Sequence, residues 1–224
     1  MVEEYSQWKL IEEFKKTYKQ EYSKISKKVD FYKSFLLDLI NLLNLIQQKK
    51  DAYIGNHSKN VSNVSLKIAE KLNQTLEKKI DLEFLNYGAL LHDFGKIFLP
   101  ETILNKPSLL NDVEKEMMKL HTTIAYDVFK NSFLLTSMKD AKIIGDIILY
   151  HHESYDGKGY PKSLRGERIP LVARIVKIAD VYDALISERS YRSAFSKEQA
   201  IEIIKSEKEK FDPKILEIFL DIIK

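Results

Sequence analysis

The spacing of apolar residues constrains the fold of this chain more than any other feature. Through its long periodic stretches, apolar side chains recur at three- and four-residue steps, which is the pattern of amphipathic helices. Only 7 glycines and 5 prolines interrupt the 224 residues. We therefore predict an all-α protein whose 44% apolar content is enough for one main domain and a small appended segment.

The composition excludes several classes of protein. Because the chain has no cysteine, a metal site would have to use nitrogen and oxygen ligands. The net charge of +3 is spread along the chain, so duplex nucleic acid is not an expected partner. No uncharged apolar stretch of about 18 residues occurs, so we expect no membrane insertion. The opening MVEEYSQWKL lacks the pattern of a secretion signal, and we expect a cytoplasmic protein.

The first part of the chain, residues 1–50, is charged and ends in a predicted helix. One face of this helix carries Phe35, Leu39, Leu42, Leu43 and Ile46. Such a face requires a partner, either the chain's own domain or, for a dimerising or signal-transmitting helix, another chain or a sensor. We therefore divide the chain into an N-terminal helical segment, residues 1–50, and a main domain, residues 51–224.

Three of the five histidines lie on the apolar faces of predicted helices. His57 and His92 continue the apolar stripes of two helices, and His121 lies in the stripe of a third. The stripe around His121 is expected to contain Val113, Met117, Ile124 and Val128. Asn111, with Glu114 three residues later, would cap this third helix. These three histidines are predicted to point inward.

A predicted helix from Pro170 to Ile186 is apolar nearly all round, yet it carries Asp180 and Asp183. An isolated ionised carboxylate in such a helix would be strongly penalised. Asp180 therefore requires a metal or a cationic partner, unless it faces a solvent-filled groove.

The candidate polar residues recur at a nearly constant interval. His92, His121, His151 and Asp180 follow one another at steps of 29 or 30 residues. Since two successive helices of about 15 residues return the chain to its starting level, these side chains are predicted to meet in one layer of a bundle.

Two adjacent pairs, His92 with Asp93 and His151 with His152, favour a metal centre. A carboxylate has two oxygens and can serve a second ion beside the one bound by its neighbouring imidazole, and this mixture of ligands suits iron, manganese or zinc. Two ions about 3.5 to 4 Å apart can share a water, lower its pKa and hold a phosphodiester for in-line attack. Lys96 could neutralise charge on the phosphoryl group, although a lysine is also ordinary at a helix C-terminus.

These residues lie in motifs that resemble those of the HD-GYP family of cyclic dinucleotide phosphodiesterases, a branch of the HD-domain metal phosphohydrolases. The motifs are HSKNVS at 57–62, LLHDFGK at 90–96, HTTIAYDVF at 121–129, HHESYDGKGYP at 151–161, IADVYDAL at 178–185 and ERSYRSAFSKEQA at 188–200. The resemblance implies an HD-domain helical bundle with an additional N-terminal helical segment. It also implies hydrolysis of cyclic di-GMP through a metal-bridging hydroxide, giving pGpG and leaving GMP open as a further product.

The resemblance implies seven metal ligands in two sets. The first set comprises His57, His92, Asp93 and Asp180. The second set comprises His121, His151 and His152, with Asp93 as the bridge. Two divalent ions are expected, iron or manganese, with zinc, nickel or magnesium as alternatives in purified protein. Some members bind a third metal through a glutamate at the position of Tyr53. Because this chain has no glutamate there, we expect two metals rather than three.

The resemblance also implies a substrate-binding set around the metals. Lys96 would contact the scissile phosphate, and Asp93 with Lys96 would form the catalytic pair. Arg189 and Arg192 would lie near substrate phosphates, unless they form a solvated helix end. Asp183 would belong to this site by orienting a ligand or Lys96.

The Gly159-Tyr160-Pro161 loop has three open interpretations. Tyr160 could offer an aromatic face to a guanine, the loop could bind a diguanylate cyclase (GGDEF) or sensor partner, or it could be a plain connector. Two alternatives for the whole chain also stay open, namely a catalytically silent cyclic-dinucleotide receptor and a hydrolase of another, hybrid cyclic nucleotide. Homodimerisation through residues 1–50 is a further prediction.

Overall fold

The computed structural model of this chain describes residues 31–50, 56–132, 140–188 and 193–223. Within these ranges the protein is helical and contains no strand, which confirms the all-α prediction. Helix α1 covers residues 31–50. The later helices are α2 His57–Asn73, α3 Leu82–Leu91, α4 Glu101–Leu104, α5 Asp112–Lys130, α6 Ala141–Tyr150, α7 Leu171–Ile186, α8 Lys197–Ser206 and α9 Pro213–Ile223. Short 3-10 helices cover Phe94–Phe98, Gly166–Arg168 and Lys208–Lys210.

The chain separates into two compact units, Met1–Asn41 and Leu42–Lys224, and α1 runs across the division. Most of the apolar face predicted for α1 is exposed, with Phe35 at 54%, Leu42 at 53% and Ile46 at 49%. The partner of this face, either the chain's own domain or another chain, stays a prediction. In the second unit, α1 instead buries the polar residues Asn44 and Gln47. The boundary at residue 50 stays a prediction.

Local sequence signals determine where several helices begin. The side chain of Asp81 accepts hydrogen bonds from the backbone N–H groups of Glu83 and Phe84 at the start of α3. At the start of α5, Asn111 and Glu114 form the predicted capping box, in which each side chain accepts a bond from the other's backbone N–H. Such caps stabilise a helix by about 1 kcal/mol each.

Helix α7 lies at the centre of the second unit. It packs against α2, α6, α8 and α9, and most of its length is buried, as its nearly all-round apolar sequence predicts. Helix α3 packs between α2 and α6, while α5 packs on α6 and on the 3-10 helix Phe94–Phe98. None of the helices in the described ranges combines the length and apolarity needed to cross a bilayer.

The orientation of α5 differs from the predicted one. His121 points inward as expected, but Val113 and Val128 of its supposed stripe are exposed, at 71% and 44%. The buried face consists of His121, Thr122, Ala125 and Phe129. The buried face packs on α6 and on the 3-10 helix Phe94–Phe98, which approaches α5 closely at Gly95.

Candidate metal centre

Seven side chains from five helices and their ends converge in the second unit. They form two clusters, within each of which the potential ligand atoms lie within 4.8 Å of one another. The first cluster contains His57, His92 and Asp180. The second cluster contains Asp93, His121, His151 and His152. All seven residues predicted as ligands are thus brought together, and their role as ligands stays a prediction.

The local structure explains how these residues reach one layer. His57 is the first residue of α2, and His92 directly follows the last residue of α3. Asp93 precedes the 3-10 helix, and the adjacent pair His151 and His152 directly follows α6. His121 and Asp180 lie within α5 and α7. The side chains of both clusters therefore come from the ends and from the middles of helices.

Asp93 joins the two clusters because its carboxylate oxygens face different ways. Its Oδ2 lies 3.4 Å from Nε2 of His92 and 3.7 Å from Nε2 of His57. Its Oδ1 lies 3.4 Å from Nε2 of His121 and 3.9 Å from Nε2 of His151. One carboxylate is therefore positioned to serve two ions.

Three of the histidines are oriented by backbone carbonyls of the same helical turn. Nδ1 of His92 lies 2.7 Å from the oxygen of Ala89, and Nδ1 of His121 lies 2.6 Å from that of Met118. Nδ1 of His151 is bonded in the same way to the carbonyl of Ile147. Since a carbonyl oxygen only accepts, each Nδ1 carries the hydrogen of this bond, and Nε2 is the atom that faces the cluster.

His57 is oriented by a side chain instead. Its Nδ1 lies 2.6 Å from Oδ2 of Asp183, and its Nε2 lies 3.3 Å from Oδ1 of Asp180. The Asp183 carboxylate also accepts hydrogen bonds from Asn60 at 2.9 Å and from Ser187 at 3.3 Å. Asp183 therefore contacts His57 rather than Lys96, which is an arrangement typical of histidines that bind metals.

Several polar atoms of the clusters are not compensated by the residues that the structure describes. Nε2 of His92 and Oδ1 of Asp93 are buried without a hydrogen-bond partner among the described residues. In addition, Nε2 of His121 and Nε2 of His151 are only 3.4 Å apart, and each presents a lone pair to the other. Buried polar atoms are normally satisfied. A divalent cation fits these atoms because it would accept electron pairs from all of them.

The electrostatics give the carboxylates and the second-cluster imidazoles the protonation states that cation binding requires. Burial favours the neutral form of Asp93, but Lys96 and His92 outweigh it and hold the pKa of this carboxyl well below its usual range. Burial lowers the pKa of His121 to about 4, with help from Lys96. Burial and neighbouring histidines likewise hold the pKa values of His151 and His152 well below the ordinary value.

The first cluster differs in its electrostatics. Burial opposes protonation of His57, but hydrogen bonds to Asp180 and Asp183 outweigh it and raise the pKa of His57 to about 9. Burial likewise opposes ionisation of Asp180, but His57 and His152 lower the pKa of this carboxyl well below its usual range.

Lys96 lies at the mouth of the centre. Its Nζ is 2.7 Å from Oδ2 of Asp93, and its side chain is 21% exposed, whereas Asp93 is almost completely buried. His57, Asp180 and His152 are the other partly exposed side chains. An anion that reached the clusters would therefore meet Lys96.

Three residues that the sequence analysis did not single out position the centre. Gln47 of α1 donates a hydrogen bond of 3.0 Å to the backbone oxygen of Asp93. Gly95 allows the 3-10 helix to contact α5, because a Cβ at this position would lie 1.9 Å from the backbone oxygen of His121. Glu153 is buried and accepts hydrogen bonds from the backbone N–H groups of Lys162 and Leu164.

The loop from Glu153 to Leu164 carries Tyr160. The Tyr160 ring stacks on His152, with ring centroids 4.8 Å apart and an interplanar angle of 25°, and the ammonium of Lys119 lies 5.6 Å from the Tyr160 centroid. A contact between Tyr160 and substrate stays a prediction. Arg189, Arg192 and Tyr53 lie outside the described residues.

Comparison with known proteins assigns the family. A family model described as HD domain matches residues 41–215. This chain belongs to the HD domain family, and the predicted resemblance is confirmed. A solved structure of an HDGYP protein from Bdellovibrio bacteriovorus, 24% identical, superposes with a TM-score of 0.60 over 86% of this chain and 60% of that one, which supports the all-α HD-domain bundle.

Two relatives bear on the chemistry. A cyclic di-GMP phosphodiesterase of Thermotoga maritima is 34% identical over 194 residues, which cover 86% of this chain and 51% of the relative. The 3'3'-cGAMP-specific phosphodiesterase 2 of Vibrio cholerae is 34% identical over 142 residues, which cover 63% of this chain and 26% of the relative. This chain thus spans about half the length of the first relative and about a quarter of the length of the second.

Proposed function

We propose that this chain is a metal-dependent phosphodiesterase that hydrolyses cyclic di-GMP to linear pGpG. The observation that carries this proposal is the position of Asp93, whose two carboxylate oxygens face two separate histidine clusters. The relatives named as phosphodiesterases of cyclic dinucleotides support the substrate class. The experiment below also tests whether pGpG is cleaved further to GMP.

The proposed cofactor is a pair of divalent cations. The first would be held by His57, His92 and Asp180, the second by His121, His151 and His152, with Asp93 between them. Nitrogen and oxygen ligands of this kind suit iron or manganese, and zinc, nickel and magnesium are alternatives. When bound, two such cations supply a water of lowered pKa and an electrophilic clamp for the phosphodiester.

The protein's own side chains would complete the chemistry. Asp93 remains ionised because Lys96 and His92 outweigh its burial, so it keeps both oxygens available. The Lys96 ammonium, 2.7 Å from Asp93 and partly exposed, would bind a phosphoryl oxygen and stabilise the negative charge that develops during cleavage. The near-complete burial of His92, His121 and His151 excludes bulk water from one side of the centre and strengthens these interactions.

Two rival functions predict different products. A silent receptor would bind cyclic di-GMP with the same residues but leave it intact. A hydrolase of hybrid cyclic dinucleotides would prefer 3'3'-cGAMP, the substrate named for the Vibrio cholerae relative.

The decisive experiment uses anaerobically purified protein whose metal content has been measured. The protein is incubated with cyclic di-GMP, 3'3'-cGAMP and pGpG, and products are separated by chromatography. We expect about two metals per chain and conversion of cyclic di-GMP to pGpG. Metal-loaded protein that binds cyclic di-GMP and never cleaves it would overturn the proposal in favour of the receptor. A strong preference for 3'3'-cGAMP would reassign the substrate.

The proposal extends to the N-terminal segment, residues 1–50, as a dimerising or signal-transmitting element attached to the domain of residues 51–224. The exposed apolar face of α1, with Phe35, Leu42 and Ile46, supports it. Light scattering on the full chain and on a triple variant of these residues to serine tests dimerisation. A parent chain that is monomeric at high concentration would contradict it.

A further inference from the structure

A lysine beside the metal centre has no role in the scheme above. Lys177 lies on α7, three residues before Asp180, and therefore shares its face of the helix. Its side chain is half-buried. Among the described residues it makes no ion pair or hydrogen bond, which is unusual because lysines that leave the solvent are normally paired.

Lys177 is surrounded by charged groups, one of which belongs to the centre. Burial lowers the pKa of Lys177, while the charge of Asp180 opposes this effect. The Lys177 charge in turn contributes to the lowered pKa of His152. The charges of Lys210, Asp156 and Glu153 also act on it. Lys177 is therefore a half-buried cation one helical turn from Asp180.

The two lysines of the region are associated with different residues of the centre. Lys96 contacts Asp93, the residue common to both clusters, whereas Lys177 is electrostatically coupled to Asp180 and His152. A cyclic dinucleotide carries two phosphodiesters in one ring, of which only one is cleaved in a turnover. The other requires a cation away from the reacting atoms, and an unpaired half-buried ammonium meets that requirement.

We propose that Lys177 binds the phosphodiester of the cyclic dinucleotide that is not being cleaved. This proposal rests on the proposed function. It makes Lys177 a residue that selects substrates with two phosphates. Bound substrate would also supply the anionic partner that this ammonium lacks within the described protein.

The test compares two substrates in metal-loaded full-length variants. Lys177→Met keeps the length of the side chain and removes its charge, Lys177→Arg keeps the charge, and Lys67→Met removes an exposed lysine of α2 as a matched control. The substrates are cyclic di-GMP, with two phosphodiesters, and bis(p-nitrophenyl) phosphate, with one. Metal content and thermal unfolding are measured for every variant.

We expect Lys177→Met to raise KM for cyclic di-GMP roughly 10- to 100-fold, which corresponds to one charge-assisted hydrogen bond. Its kcat, its metal content and its kcat/KM for bis(p-nitrophenyl) phosphate should match those of the parent. Lys177→Arg should recover most of the loss, and Lys67→Met should behave like the parent.

Parent-like KM in Lys177→Met would overturn the inference, as would an equal loss on both substrates, which indicates a structural or catalytic role. If the parent binds cyclic di-GMP without cleaving it, the proposed activity fails while the inference is still tested, because Kd should then rise by the same factor. A parent that neither binds nor cleaves the dinucleotide overturns both.

Discussion

The two clusters of the metal centre are built in different ways. In the second cluster, His121 and His151 are oriented by carbonyl oxygens of the helices that carry them. In the first cluster, His57 of α2 is oriented by Asp183 of α7, a residue 126 positions away. The geometry of the second cluster therefore depends mainly on helix formation. In the first cluster only His92 is oriented in this way. His57 depends on the packing of two helices and on one side chain, so the first cluster should be more sensitive to single substitutions.

Removing the shared residue should abolish both clusters. We expect Asp93→Ala to lose both metals and to lower hydrolysis by at least about 10³-fold, because an oxygen is removed from each cation site. Metal analysis and product chromatography measure the two effects, with Asp127→Ala on the exposed face of α5 as a control. An active, metal-loaded Asp93→Ala protein would refute the proposed centre.

Removing one candidate ligand of the second cluster should distinguish metal binding in that cluster from metal binding in the first. His121→Ala should lower the metal content from about two to about one per chain, since the first cluster keeps its own three ligands. Activity should fall with the lost metal. Retention of two metals would show that His121 is not a ligand, and loss of both would show that the clusters are not independent.

Changing Lys96 should leave both clusters intact while slowing the chemistry. Lys96→Ala is expected to retain its metals and to lower kcat by about 10²-fold, the effect of losing one group that stabilises developing charge. Parallel measurements of metal content and kcat distinguish this result from a structural defect. An unchanged kcat would remove Lys96 from the proposed catalytic set.

Changing Asp183 tests the sensitivity of the first cluster directly. Asp183→Asn keeps the size of the side chain but weakens its bond to His57, and we expect a 10- to 100-fold loss of affinity in the first cluster. The second cluster should be unaffected, as competition with a chelator can show. An equal loss of metal affinity in both clusters would mean that Asp183 supports both of them.

The smallest expected effect concerns the support of the second cluster by helix formation. Asn111→Ala removes the capping box of α5 and should lower the free energy of unfolding by about 1 kcal/mol. Chemical denaturation measures this change, and metal affinity should stay the same because His121 lies more than two turns from the cap. A large loss of second-cluster affinity would show that the cap also positions His121.

The sequence predicted the helices and the candidate ligands well, because both leave local signals. A local motif predicts the capping pair Asn111 and Glu114. Helix periodicity predicts the inward direction of His57, His92 and His121. The buried face of α5 was predicted incorrectly. An apolar stripe shows that a side chain can be buried but does not specify its partner, and here the close contact at Gly95 decides the orientation.

Other parts of the site leave no local signal. Gln47 and Glu153 bond to backbone atoms that are distant in sequence or enclosed in a loop, and an isolated glutamine or glutamate does not reveal such a contact. The resemblance left open whether Asp183 orients a metal ligand or Lys96. Only the packing of α2 on α7 associates it with His57.

The bonds that Glu153 makes have a consequence for how this region can vary. Its carboxylate accepts from Lys162 and Leu164, so the intervening chain is closed into a ring directly beside His152. Substitutions at the tip of this ring, around the exposed Lys158, can change its chemistry without displacing the histidine. The loop surface can thus change what it binds while the distances between the side chains of the candidate metal centre stay the same.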